Sequence, residues 1–150
     1  LNPSGGHPGN DQEHLAIRRW YAQADGTITV TGKLEHPADQ GDGVRGRIVS
    51  SRVGAIGEWV AQHGAAATNT EPIAVKSGDT LDFLTDCREN PNSDSFQWRV
   101  TIRQANDVEG GKTAEWKSER DFDGPQVEPL GPWQLLAQTL MLTNEFMFLD

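Results

Sequence analysis

The chain has 150 residues, 35% of them hydrophobic and 23% charged, the make-up of an ordinary folded domain, which excludes wholesale disorder. A formal charge of −9 argues against a nucleic-acid partner, because phosphate contacts require clustered Lys and Arg. One cysteine, Cys87, excludes an internal disulfide and a thiolate metal cage, and no apolar run is long enough to span a bilayer.

The chain begins at Leu1 without a signal peptide and reads as a piece excised from a larger protein. Residues 1–14 (LNPSGGHPGNDQEH) are Gly, Pro, Asn and His with hardly an apolar group, a linker or surface arm. Residues 15–22 (LAIRRWYA) form the first strand candidate. Ile17 and Tyr21 lie on one face and Ala16 and Trp20 on the other, a conflict that a bulge between Arg18 and Arg19 would resolve. After the turn at Asp25-Gly26, a second strand puts Ile28, Val30 and Leu34 on one face, with Gly32 leaving a gap in the row. Residues 36–43 (HPADQGDG) are a loop, followed by a third strand over 44–52 with Val44 and Ile48 opposite Arg45 and Arg47. A short strand over 54–60 carries Ile56 and Trp59, and residues 63–70 read as loop.

Residues 79–103 carry the strongest pattern. Phe96, Trp98, Val100 and Ile102 alternate with Gln97, Arg99, Thr101 and Arg103, the period-2 signature of a strand with one buried face. Leu81 and Phe83 mark its predecessor, and Cys87 reads as a buried or half-buried thiol at the end of that strand. The connection over 88–94 is too long for a two-residue hairpin, so it either crosses between sheets or projects as a functional loop. Short strands at this spacing, with no helical periodicity, predict an all-β, jelly-roll-like β-sandwich over 15–104. Residues 105–130 are a polar extension with an edge strand through Trp116. Residues 131–150 begin at Gly131-Pro132-Trp133 and predict a C-terminal apolar α-helix that belongs to or docks on a neighbouring domain, or pairs with a second copy.

The phrases GGHPGND, IRRW, ADGT, QGDGVRGRIVSSR, GEW, VKSGDT, DFLTDC and NSDSFQW resemble a sandwich module near the C-terminus of large planctomycete multidomain proteins. Those proteins carry c-type cytochrome-like and planctomycete-specific domains of unknown function. The ending WQLLAQTLMLTNEFMFLD resembles the closing helix of one such domain. The resemblance implies a carbohydrate-binding-module-like jelly roll on an exported, periplasmic or cell-surface protein involved with polysaccharides. The haem-attachment signature Cys-x-x-Cys-His is absent, so haem is not expected in this piece.

Sugar recognition needs accessible aromatic faces and planar hydrogen-bonding groups. Trp98 and Trp20 fall on core faces and Trp133 is expected to pack beneath its own helix, which leaves Trp59 and Trp116 as ligand candidates. If their strands share a sheet, Arg45 and Arg47 with Arg99 and Arg103 make a basic strip suited to the carboxylates of an acidic polysaccharide or oligosaccharide, with Arg45, Arg47 and Arg99 as the ligand candidates. The plainer alternative is a solvated face whose arginines pair with Asp82 or with Glu residues. Asp39, Asp42, Asp94 and the side-chain carbonyls of Asn90 and Asn92 are hard oxygen donors for a structural calcium, although no contiguous D-x-D-x-D-G pattern occurs, and turn capping explains them as well. His7, His14, His36 and His63 show no zinc spacing. There is no nucleophile elbow or P-loop, and 22 acids make some carboxylate pair inevitable, so no catalytic residue is assigned. The sequence is read as a non-catalytic carbohydrate-binding module of a larger protein; the alternative is a structural or interdomain module that binds no glycan.

Overall fold

The structure is a computed structural model and describes residues 1–11, 13–105, 113–124, 131–134 and 136. The alternating segments form ten strands among the described residues: β1 (Gly5–Gly6), β2 (Ala16–Tyr21), β3 (Gly26–His36), β4 (Val44–Ser50), β5 (Gly54–Ala61), β6 (Gly64–Ala67), β7 (Ile73–Val75), β8 (Thr80–Asp86), β9 (Phe96–Gln104) and β10 (Glu115–Lys117). They pair antiparallel in two sheets. One has the order β1-β9-β3-β6, with β10 also on β9 and β7 also on β3; the other has the order β2-β8-β4-β5. The all-β sandwich expected from the alternation is the architecture found. Because β8 and β9 lie in different sheets, the connection 87–95 is the crossing that its length allowed.

The core lies between the sheets. Phe96, Trp98, Val100 and Ile102 of β9 and Ile28, Val30 and Leu34 of β3 pack with Leu81 and Phe83 of β8 and with Val44 and Ile48 of β4. Trp98 is completely buried. Its ring meets Phe83 edge-on at 5.6 Å, and its Nε1 donates to Thr68 Oγ1 at 2.9 Å. Two glycines make room for this arrangement. A Cβ on Gly46 would come within 3.0 Å of the Trp98 ring and 2.9 Å of Leu34, and one on Gly32 would collide with Thr68 Oγ1. The gap at Gly32 is therefore the space through which Thr68 reaches the indole.

The expected bulge in β2 is absent: its register on β8 runs unbroken from Ala16↔Thr85 to Tyr21↔Thr80. Arg18 instead turns inward beside Trp20 and is 5% exposed. Its Nη1 donates to Pro3 O at 2.8 Å and its Nη2 to Trp98 O at 2.5 Å, so an arginine occupies a core-facing position by reaching the carbonyls at the sheet edge. Burial lowers its pKa to about 10, which leaves it a cation at neutral pH. Residues 1–14 are an arm with structure of its own: Gly5 and Gly6 pair with Gln97 and Phe96. The edge strand through Trp116 is also present, as β10 on β9.

Most of the predicted C-terminal helix lies outside the described residues. Residues 132–134 and 136 are helical, but Trp133 is 82% and Leu136 48% exposed, so the apolar helix is unsupported and Trp133 does not pack beneath it. Trp116 and Phe122 pack against the core cluster. No helix among the described residues is long and apolar enough to cross a membrane. Thr68→Val should leave the buried Trp98 N–H without an acceptor at nearly constant volume, costing about 1–3 kcal/mol in urea denaturation. An unchanged midpoint would show that the indole does not depend on this bond.

Candidate functional site

The two sheets separate the arginines that the sequence grouped together. Arg45 and Arg47 lie on β4, in one sheet, and Arg99 on β9, in the other, so no common basic strip exists. Arg45 Nε and Arg47 Nη2 each donate to Asp86 Oδ2 at 3.0 Å, and the Asp86 carboxylate is fully buried. Arg99 donates through Nε to Glu119 at 3.1 Å and stands 3.4 Å from Glu35, which also takes Lys33 Nζ at 2.6 Å. The alternative of a face paired internally is the one found. Asp82, one expected partner, instead takes Arg19 in a bidentate pair at 2.6 and 2.7 Å.

The tryptophans divide as well. Trp116 packs edge-on against Trp20, with ring centroids 5.2 Å apart, and belongs to the edge of the core. Trp59 is half-buried on β5, an edge strand of its sheet. Its ring lies across Gly57, where a Cβ would stand 2.5 Å from the ring. Trp59 also lines a groove of about 390 Å³ with Asn69, Thr70, Glu71 and Pro72 from the connection between β6 and β7. Asn69 Oδ1 accepts Gly32 N at 3.3 Å and Thr70 Oγ1 accepts Val30 N at 3.2 Å, so both side chains are tied to β3. Asn69 also borders a shallower hollow of about 530 Å³ on the outer face of the β9–β3 sheet, lined by Thr31, Lys33, Arg99 and Thr101. The groove brings together an aromatic ring, an amide, a hydroxyl and a carboxylate. Of these, the sequence reading named only Trp59. The signal for the rest is the polar run Thr68-Asn-Thr-Glu71 before Pro72, which reads as ordinary loop until β5 is placed beside it.

The loop acids sit at one end of the sandwich. Asp39 is exposed and Asn92 turns an exposed side chain to solvent, whereas Asp42 and Asp94 approach each other from the β3–β4 and β8–β9 connections. Asn90 Oδ1 caps Asn92 N at 2.9 Å, the turn-capping role weighed for these residues. Among the described residues no three His, Cys, Asp or Glu side chains converge on one point. Cys87 is buried, and burial first, then the negative charges of Asp86, Asp94 and Asp42, push its thiol pKa up. It lacks the electropositive setting of a reactive thiolate.

No protein-family profile matches the chain, and no curated protein sequence matches it. A solved structure described as a PA14 sugar-binding domain from an RTX adhesin is similar in fold, with a TM-score of 0.42 and 14% sequence identity. The similarity covers 70% of this chain and 52% of that one, so this chain spans about half of the adhesin domain's length.

Replacing Arg45 and Arg47 together with alanine strips the buried Asp86 carboxylate of both cations and should lower stability by about 2–3 kcal/mol in chemical denaturation. A variant as stable as the parent would show that Asp86 does not need them. Cys87 should resist alkylation in the native protein at neutral pH and react fully once it is unfolded, as a thiol-titration time course would show.

Proposed function

We propose that this chain is a non-catalytic carbohydrate-binding module, a jelly-roll-like sandwich carried by a larger exported protein, and that it takes a glycan along the groove of Trp59, Asn69, Thr70 and Glu71. The observation that supports this reading is the juxtaposition in that groove: an indole held across Gly57 lines it together with an amide and a hydroxyl tied to β3 and with the Glu71 carboxylate. A pyranose offers C–H faces that stack on an indole and hydroxyls that bridge such planar polar groups. The charge arrangement favours a neutral sugar over an acidic one. Arg45, Arg47 and Arg99 are engaged by Asp86, Glu35 and Glu119, while Glu71 brings an exposed carboxylate to the groove of a chain with net charge −9.

The test is retention of the chain in gels containing neutral or acidic polysaccharides. Neutral polymers should retard it, and Trp59→Ala and Asn69→Ala should each weaken retention by about tenfold. Circular dichroism would verify that both variants are folded. Equal retention of both variants and the parent would refute the groove assignment. A second reading, an interdomain module, draws on the exposure of Trp133 at 82%. It predicts that the chain binds no polysaccharide and that a Trp133→Ser change weakens its association with the rest of the parent protein in co-purification.

A further inference from the structure

The groove at Trp59 does not end at the edge of the sandwich. Asn69 lines it and also lines the hollow of about 530 Å³ on the outer face of the β9–β3 sheet, so one side chain forms a wall of both. The backbone explains why. Between the β6 and β7 pairings the connection runs along the side of β3 away from β9, with Thr68 N donating to Gly32 O at 2.8 Å and Thr70 N to Val30 O at 3.0 Å. Thr68 is buried and turned inward to the Trp98 indole, and the alternation leaves Asn69 exposed on the other side. The Asn69 Oδ1 accepts Gly32 N at 3.3 Å, and among the described residues nothing accepts from its Nδ2.

The hollow is polar and carries no aromatic ring. Thr31 and Thr101 stand directly opposite each other across β3 and β9, and Lys33 and Arg99 form the next pair on the same face. Its charges are balanced from within. Glu35 takes Lys33 Nζ at 2.6 Å and lies 3.4 Å from Arg99 Nη1, while Glu119 takes Arg99 Nε at 3.1 Å. What remains for a ligand is the Thr101 hydroxyl, the Thr31 hydroxyl oxygen, whose proton goes to Thr101 O at 3.4 Å, and the Asn69 amide. Such groups bridge neutral sugar hydroxyls at a modest gain each, and none offers a face to stack on.

We infer that groove and hollow are one site, and that it takes several consecutive units of a linear neutral polysaccharide rather than one or two sugars. The inference rests on the glycan reading of the Trp59 groove. Neighbouring strands lie about 4.8 Å apart, so the path from β9 across β3 to the backbone of Asn69 is about 10 Å long before it reaches Trp59, more than one pyranose ring spans. Trp59 is the stacking anchor, Asn69 lies where the chain passes from the edge onto the sheet, and Thr31 and Thr101 hold the units beyond it.

The experiment is calorimetric titration of the whole chain with cello-, manno- and malto-oligosaccharides, each series from the disaccharide to the hexasaccharide. At least one series should bind, its hexasaccharide about tenfold tighter than its disaccharide. Trp59→Ala should weaken every length by about tenfold. Two variants act on the hollow alone: Thr101→Val removes a hydroxyl at nearly constant volume, and Ala67→Leu raises an apolar side chain at its border. Each should weaken the hexasaccharide by about threefold and leave the disaccharide unchanged, with circular dichroism verifying the fold. A disaccharide bound as tightly as the hexasaccharide, or hollow variants that keep the parent's affinity for the hexasaccharide, overturns the joined site while the Trp59 groove stands. Binding of no oligosaccharide, or a Trp59→Ala variant that binds every length as the parent does, overturns the groove reading and this inference with it.

Discussion

The sandwich is organised by one side chain that reaches across it. Trp98 leaves β9, lays its ring between Phe83 of one sheet and Leu34 of the other, and fits only because Gly46 has no side chain. Its indole proton must be accepted inside the core, and Thr68 supplies the oxygen. That bond fixes the end of β6 and the start of the polar connection that forms the groove wall. The main chain of the same residue does more: Trp98 N donates to Ser4 O, and Trp98 O accepts from the buried Arg18. The N-terminal arm and the β2 edge are thus tied to a single point. A large aromatic in a close-packed interior transmits such constraints because there is no free volume to absorb a shift.

The charges follow a different logic. On the outer faces, arginines stand opposite or beside carboxylates, as with Arg19 and Asp82 or Arg103 and Glu115. Exposed pairs of this sort add little stability, but they leave few free cations on an acidic protein. This balance turns attention from the sheet faces to the side of the sandwich. There β5 forms an edge of its sheet, and its half-buried Trp59 lines a groove with the β6–β7 connection. At the end of the sandwich Asp94 lies buried beside His36, with His36 Nε2 3.3 Å from its Oδ1.

Much of the architecture was legible from the residues. The alternation of Phe96, Trp98, Val100 and Ile102 identified the central strand, and the runs at Ile28–Leu34 and Val44–Ile48 identified two more, because a half-buried strand writes its inner face at every second position. Turn residues such as Asp25-Gly26 marked the connections by their local backbone preferences. Arg18 was misread, since periodicity assumes that an inward position is apolar and cannot see a carbonyl fifteen or eighty residues away waiting for a guanidinium.

By itself, then, the sequence determined the fold class and the faces of the main strands. These depend on local covalent geometry and on side-chain type. Only the tertiary structure decided which strands share a sheet, and with that it separated Arg45 and Arg47 from Arg99 and brought Asn69, Thr70 and Glu71 to Trp59. Strand pairing is a long-range choice made by the packing of whole faces, and no spacing within a segment records its distant partner.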